Sequence, residues 1–227
     1  MTRSEVRVPH RPPLRGVFSI SCRRRLRGVF ILSGCRHLRG VFSIFDCYTF
    51  FMHLYFIRHG ESTSNYGDLI TGQQDVPLTD LGRLQALAAG QTIATQGIKI
   101  DHIICSRLMR AHDTAKIIAR EIGFPEQQIQ VNDLVIERSF GTLEGQPKMN
   151  PAQLDDELIR KSGGELDGHI RERAQKLLDS LKETTGNVLI VSHTGFGRRL
   201  RAVVEGIPTQ YSHNFKNAHL TDLGEIA

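Results

Sequence analysis

The 227-residue sequence has no tryptophan and four cysteines, of which Cys22, Cys35 and Cys47 fall within the first 51 residues. Only Cys105 remains in the rest of the chain, at the end of a short apolar run. A single thiol excludes a disulfide framework in that part and fits a reducing compartment. We therefore expect a cytoplasmic protein.

Long hydrophobic runs are also lacking. A membrane-spanning helix needs about 18 apolar residues, and arginine or aspartate interrupts every apolar run near the N terminus. We therefore expect a soluble protein without a membrane partner. With 40% hydrophobic residues, a chain of this length can bury one sizeable core but is short for two.

Positive charge is unevenly distributed along the chain. Residues 1–51 hold ten arginines, no lysine and two acids, a net of +8. The other 176 residues carry 19 basic and 22 acidic side chains, a net of −3, although the whole chain is at +5. Because the basic excess lies outside the part that resembles a folded domain, no nucleic-acid groove is predicted.

The basic segment repeats itself at a period of 12 residues, in the stretches 14–20, 26–32 and 38–44. Three copies this short cannot stack into a solenoid core of useful size. We expect residues 1–51 to be disordered, or to be translated from a start codon placed upstream of a true first residue at Met52. A transit peptide and a basic binding arm stay open as alternatives. Residues 52–227 are predicted to be the folded domain.

Apolar runs and helical spacings alternate along that domain. Short apolar runs predict strands at 53–57, 101–105 and 187–191, with a last strand around 217–221. Helical periodicity, caps and terminating glycines predict helices at 79–96, 108–122, 153–160, 170–183 and 195–205. This alternation is typical of an α/β three-layer sandwich, a mostly parallel central sheet flanked by helices.

Two histidines follow predicted strands directly. His59 lies in Arg-His-Gly after the first strand, and His193 lies in Ser-His-Thr-Gly after the strand at 187–191. Open α/β sheets bind ligands outside the carboxyl ends of their strands. We therefore expect these two histidines to face one another across a single crevice.

The residues around that crevice suit phosphoryl transfer, which needs an in-line nucleophile, cations around the phosphoryl oxygens and an acid for the leaving group. The neutral imidazole of His59 needs no proton removed before it attacks. Arg58 and Arg110 offer forked, permanently charged donors that match phosphate. Arg110 also falls near the start of a predicted helix, where the backbone favours an anion.

Several segments resemble the histidine phosphatase superfamily, which is phosphoglycerate mutase-like. The resemblance covers about residues 53–221 and is carried, in family order, by residues 54–62, 65, 71–72, 77–82, 106–111, 113–115, 137–145 and 192–195. Arg-His-Gly alone would be a weak signal, but these segments together are specific. Leu166 departs from the pattern, because it stands where a family turn usually has serine.

The resemblance implies the following roles. His59 would become a phosphohistidine, Glu137 would be the proton donor, and His193 would be the second catalytic histidine. Phosphate would be bound by Arg58, Asn65, Arg110 and Thr194. No metal or cofactor is implied, and the expected partner is a small phosphorylated metabolite.

Two reactions share such a site: hydrolysis, and return of the phosphoryl group to a second hydroxyl as in the bisphosphoglycerate-dependent mutases. Those mutases carry a long insertion between the proton donor and the second histidine, whereas Glu137 and His193 are only 56 residues apart. The sequence thus favours a phosphatase with a small lid near 148–169. A mutase and a non-catalytic phospho-ligand binding module are the alternatives.

Three other residues have weaker signals. Glu61 and Glu144 either support the residues that touch the substrate or are turn residues, and the turn interpretation is favoured over a catalytic one. Arg138 could contact substrate or pair with an acid on the surface.

Overall fold

The computed structural model describes residues 52–150, 154–212 and 214–226. In chain order its helices and strands are β1 (Met52–Arg58), α1 (Thr63–Tyr66), α2 (Asp80–Thr95), β2 (His102–Cys105), α3 (Met109–Glu121), β3 (Gln130–Val131), α4 (Asp156–Lys161), α5 (Asp167–Ser180), β4 (Gly186–Ser192), α6 (Thr194–Val204) and β5 (Leu220–Ile226). The predictions for residues 1–51 lie outside this described part of the chain.

The strands form one sheet in the order β3-β2-β4-β1-β5. β1 and β2 both run parallel to the central strand β4, and β3 runs parallel to β2. Only β5, paired with β1, is antiparallel. The expectation of a mostly parallel sheet is therefore confirmed.

Each face of the sheet is covered by helices. Leu54 and Phe56 pack on one face in a cluster with α5 and α6 residues such as Leu177 and Phe196. The opposite face carries a second cluster, in which Ile57 joins α2 and α3 side chains such as Ile118. Because both faces are buried there, the inner strands β1, β2 and β4 are mainly apolar, and the three-layer α/β architecture is confirmed.

The predicted helix boundaries mostly agree with the structure. The main differences are α4, which begins three residues later than predicted, α5, which begins and ends three residues earlier, and β5, which lies further along the chain. Leu166 is the N-cap of α5 and contributes no side-chain capping bond. This matches the departure from the family pattern noted at that position. Among the described residues, no helix combines the length and apolar character needed to span a bilayer.

Candidate active site

The parallel pairing of β1 with β4 brings the two predicted histidines together. Arg58 lies opposite Ser192 in the register of these strands, and the His59 amide donates to the Ser192 carbonyl at 2.9 Å. The next residue on each chain segment is a histidine. The ring centroids of His59 and His193 are 5.1 Å apart, and both side chains are buried.

Hydrogen bonds define the tautomer of His59. Its Nδ1 lies 2.6 Å from the carbonyl oxygen of Gly60, which can only accept, so Nδ1 carries the proton. Arg110 Nε lies 3.3 Å from His59 Nε2, and a guanidinium nitrogen can only donate. Nε2 therefore presents its lone pair, as a nucleophile requires.

The surroundings of both histidines favour the neutral imidazole. Burial lowers the pKa of His59 well below 6.5, and the nearby charges of Arg110 and Arg58 lower it further, against a smaller opposing effect of the Gly60 carbonyl. Burial also lowers the pKa of His193 well below 6.5, followed by Arg110 and His59. Desolvation disfavours the charged form of a histidine, and neighbouring cations do the same.

Arg110 lies at the start of α3 and is 1% exposed. Its Nη1 and Nη2 donate to the carbonyl oxygens of Gln74 and Gly72, both at 2.8 Å, while its Nε faces His59. A guanidinium has five N–H groups, so two remain after these three contacts. One remaining N–H on Nη1 and one on Nη2 can therefore donate to a phosphate.

Glu144 stabilises the loop at residues 72–74, whose carbonyl oxygens accept from Arg110. Its Oε1 accepts from the amides of Gln73 at 3.1 Å and Phe140 at 2.9 Å. The loop residue Gly72 has a left-handed φ of 52°, and a side chain there would collide with the Glu144 carboxylate. The hydrogen bond from the Phe140 amide agrees with the interpretation of Glu144 as a turn residue, and the one from Gln73 agrees with the alternative that it supports the site. Its link to Arg110 through residues 72–74 was not predicted, because no local pattern connects segments so far apart.

Arg58 and Asn65 present further donors. Arg58 Nη1 donates to the Phe215 carbonyl at 3.2 Å, whereas its buried Nε has no hydrogen-bond partner among the described residues. The Asn65 side-chain oxygen accepts from the amide of Ser62 at 3.3 Å and from its hydroxyl at 3.0 Å. The NH₂ group of Asn65 is consequently the end left to donate to a ligand.

Glu137 is held against the N terminus of α6. Its carboxylate accepts from the amides of Gly195 and Phe196, each at 3.0 Å, and from the Arg138 amide at 2.7 Å. The contact depends on glycine at 195, because a Cβ there would collide with the carboxylate. Glu137 thus has a fixed position at the N terminus of α6.

His193 and Thr194 supply buried polar atoms that the protein leaves unbonded. In the described part of the chain, neither ring nitrogen of His193 has a hydrogen-bond partner, and neither does Thr194 Oγ1. Buried polar atoms are nearly always satisfied, so such a group calls for an explanation. Their position beside His59 is that of groups that bind a ligand.

A cavity of about 230 Å³ collects these groups. Six of the seven sequence-predicted site residues line it: Arg58, His59, Asn65, Arg110, Glu137 and Thr194. The seventh, His193, is fully buried behind the ring of His59. The structure therefore brings all seven together, from four separate stretches of chain.

Other candidate residues have structural partners. Glu61 accepts a hydrogen bond from the Thr79 hydroxyl at 2.8 Å, within the turn that leads into α2. Arg138 is 6% exposed, and its Nη2 lies 3.8 Å from the exposed carboxylate of Asp156, which agrees with the alternative that it pairs with an acid. Its guanidinium lies over the ring of Phe140, 5.4 Å from the ring centroid.

Residues 54–226 match the histidine phosphatase superfamily (branch 1), and the chain belongs to this family. Among curated relatives, a 2,3-bisphosphoglycerate-dependent phosphoglycerate mutase of Methylocella silvestris is 41% identical over 100 residues, which is 44% of this chain and 48% of the relative. The chain thus spans about half the length of the curated relatives it matches.

Solved structures of phosphatases are similar over most of the domain. A putative α-ribazole-5′-P phosphatase of Escherichia coli has 26% identity and a TM-score of 0.65, covering 77% of this chain and 94% of that protein. A mycobacterial glucosyl-3-phosphoglycerate phosphatase has 27% identity and a TM-score of 0.62, covering 75% and 91%. By its fold and its relatives, the chain is therefore a member of this superfamily.

Proposed function

We propose that this protein hydrolyses a small phosphomonoester through a phosphohistidine on His59. The proposal rests on one observation: His59 Nε2 can act only as a hydrogen-bond acceptor, and His59 lines a cavity into which several donors point. Arg58 and Arg110 bring two positive charges to that cavity, and neither forms an ion pair with a carboxylate among the described residues. A phosphate dianion matches that set of groups.

In the first step the lone pair of His59 Nε2 attacks phosphorus, the N–P bond forms and the P–O bond to the alcohol breaks. The leaving oxygen takes its proton from Glu137, held beside the site by α6. Arg58, Arg110, Asn65 and Thr194 donate to the phosphoryl oxygens as negative charge develops on them.

In the second step a water oxygen attacks phosphorus while Glu137 takes one of the water protons. The P–N bond breaks, its electron pair returns to Nε2, and inorganic phosphate leaves. Neutral His59 is thereby restored, and Glu137 regains the proton that it gave in the first step.

Phosphoglycerate mutase-type transfer is the second candidate, because the curated relatives bear that name. In that reaction a substrate hydroxyl replaces water in the second step. The short segment between Glu137 and His193 favours hydrolysis, since less chain is available to keep water from the phosphohistidine.

The test uses the full chain in EDTA with p-nitrophenyl phosphate, then with 3-phosphoglycerate in the presence and absence of 2,3-bisphosphoglycerate. We expect metal-independent release of inorganic phosphate. Formation of 2-phosphoglycerate faster than release of phosphate would favour the mutase. A strict requirement for added metal would contradict the mechanism, and no turnover of any phosphomonoester would favour a binding module.

A further inference from the structure

The wall of the cavity opposite the phosphate-binding groups defines the alcohol that the enzyme accepts. Beyond those groups, most of the lining is apolar and includes Leu69, Ile70, Phe140, Met149 and Leu154. Ile70 is 6% exposed, and the other four side chains are partly buried.

The same wall offers little to a second anionic group. Apart from Arg58 and Arg110, the only cation lining the cavity in the described part of the chain is Lys148. Its ammonium lies 2.6 Å from an Asp68 carboxylate oxygen and so already has an anionic partner. Thr71, another polar residue of the wall, already shares a hydrogen bond of 2.6 Å with the Ser64 hydroxyl.

A substrate carboxylate or second phosphate placed here would lose its hydration without gaining a partner, which is costly for a charged group. An apolar group would instead gain from leaving water. The cavity, at about 230 Å³, is also smaller than the range of about 300–1,000 Å³ usual for sites of drug-sized ligands. A compact alcohol therefore matches its volume.

Phe140 is the anchor of the apolar wall. The Arg138 guanidinium covers its ring at 5.4 Å, and its backbone amide is fixed by Glu144 at 2.9 Å. A ring held in this way gives a planar surface to a second ring, because aromatic pairs favour offset or edge-to-face contact.

Building on the proposed function, we infer that the substrates are phosphomonoesters of compact apolar alcohols, with one ring or a short branched chain, rather than phosphates of carboxylated or multiply phosphorylated alcohols. Phe140 is then a residue that determines specificity. The inference concerns the leaving alcohol alone and leaves the phosphohistidine chemistry unchanged.

The experiment compares benzyl phosphate with 3-phosphoglycerate, both esters of primary alcohols, on the full chain. We expect kcat/KM to be at least about tenfold higher for benzyl phosphate, the scale on which apolar pockets discriminate. Phe140→Ala should lower kcat/KM for benzyl phosphate about tenfold while changing methyl phosphate less than about threefold. Tyr66→Ala removes an aromatic side chain that is 85% exposed and outside the cavity lining, and should leave both substrates unchanged.

Preference of the wild type for 3-phosphoglycerate, abolished by Lys148→Met, would overturn the inference, because Lys148 would then be binding a carboxylate. Equal losses on benzyl and methyl phosphate in Phe140→Ala would overturn it as well. In both cases hydrolysis itself persists, so the proposed function stands. Turnover of none of these substrates, nor of p-nitrophenyl phosphate, would overturn both proposals together.

Discussion

Replacing Arg110 by lysine tests whether its fork, rather than its charge alone, binds the phosphoryl group. Arginine has five N–H groups, of which two contact the Gly72 and Gln74 carbonyls and one faces His59. Lysine keeps the positive charge, but its single ammonium cannot make those contacts and also hold phosphate bidentately. Loss of one donor to a developing anion lowers turnover about 10²–10³-fold, or about 2.7–4 kcal/mol.

The assay is kcat/KM for p-nitrophenyl phosphate at pH 7 in EDTA, with thermal unfolding measured in parallel. Inorganic phosphate at 100 times its Kd should stabilise the wild type by about 2.7 kcal/mol, and Arg110→Lys should lose most of that stabilisation at the same phosphate concentration. Arg107→Lys is the matched control, because Arg107 is exposed nearby and pairs with Asp133 at 3.1 Å. A kcat/KM for Arg110→Lys within threefold of that control would refute the reasoning.

Four further outcomes are expected. Glu137→Gln should lower the turnover of alkyl phosphates about 10²-fold or more but should affect phosphoenzyme formation from p-nitrophenyl phosphate much less. Equal losses on both, measured by pre-steady-state kinetics, would make Glu137 a binding residue. Burial depresses the pKa of His59 and His193, so the unfolded chain binds more protons than the folded chain below about pH 6.5. The free energy of unfolding, measured by urea titration, should therefore fall as pH drops, by up to about 1.4 kcal/mol per histidine at pH 5.5. A pH-independent difference between the wild type and a variant lacking both histidines would contradict this. Glu144→Ala leaves two amides without their acceptor, which costs about 1–3 kcal/mol per buried group; it should lower Tm and reduce kcat/KM about tenfold. Glu144→Gln should keep a higher Tm and a higher kcat/KM than the alanine variant. Unchanged kinetics in Glu144→Ala would limit Glu144 to a structural role. Leu166→Ser should stabilise the protein by about 1 kcal/mol relative to Leu166→Ala, because it adds the missing cap to α5; equal denaturant midpoints would count against it.

The sheet and the two histidines could be predicted from the sequence because each depends on a local pattern. β1, β2 and β4 are buried on both faces, so they are recognisable as apolar runs, and each strand end is marked by a change to polar residues. β3 and α1, with 2 and 4 residues, are too short to show any periodicity and were not predicted. The early start of α5 was missed because its N-cap is Leu166, which is not a capping residue type.

The supports of the site could not be predicted in the same way. Glu144 acts on Arg110 through the loop at 72–74, and Arg138 is buried over Phe140. Glu144, the loop at 72–74 and Arg110 are distant in sequence, whereas Arg138 and Phe140 are two residues apart. In both cases a glutamate or an arginine on its own gives no sign of burial. The sequence could indicate the chemistry of single side chains. It could not indicate how they pack against one another, because that depends on the tertiary structure.

The central claim is that His59 Nε2 forms a transient bond to phosphorus. The most direct test is to mix the enzyme with a ³²P-labelled phosphomonoester, stop the reaction rapidly without acid, and look for label on the protein. An acid-labile, base-stable label is expected on the peptide that contains His59, formed at least as fast as kcat. The label should be absent from folded His59→Ala and retained in His53→Ala, which replaces a histidine paired with Asp222 away from the cavity. Full turnover without label on His59, or continued activity of His59→Ala, would contradict the account.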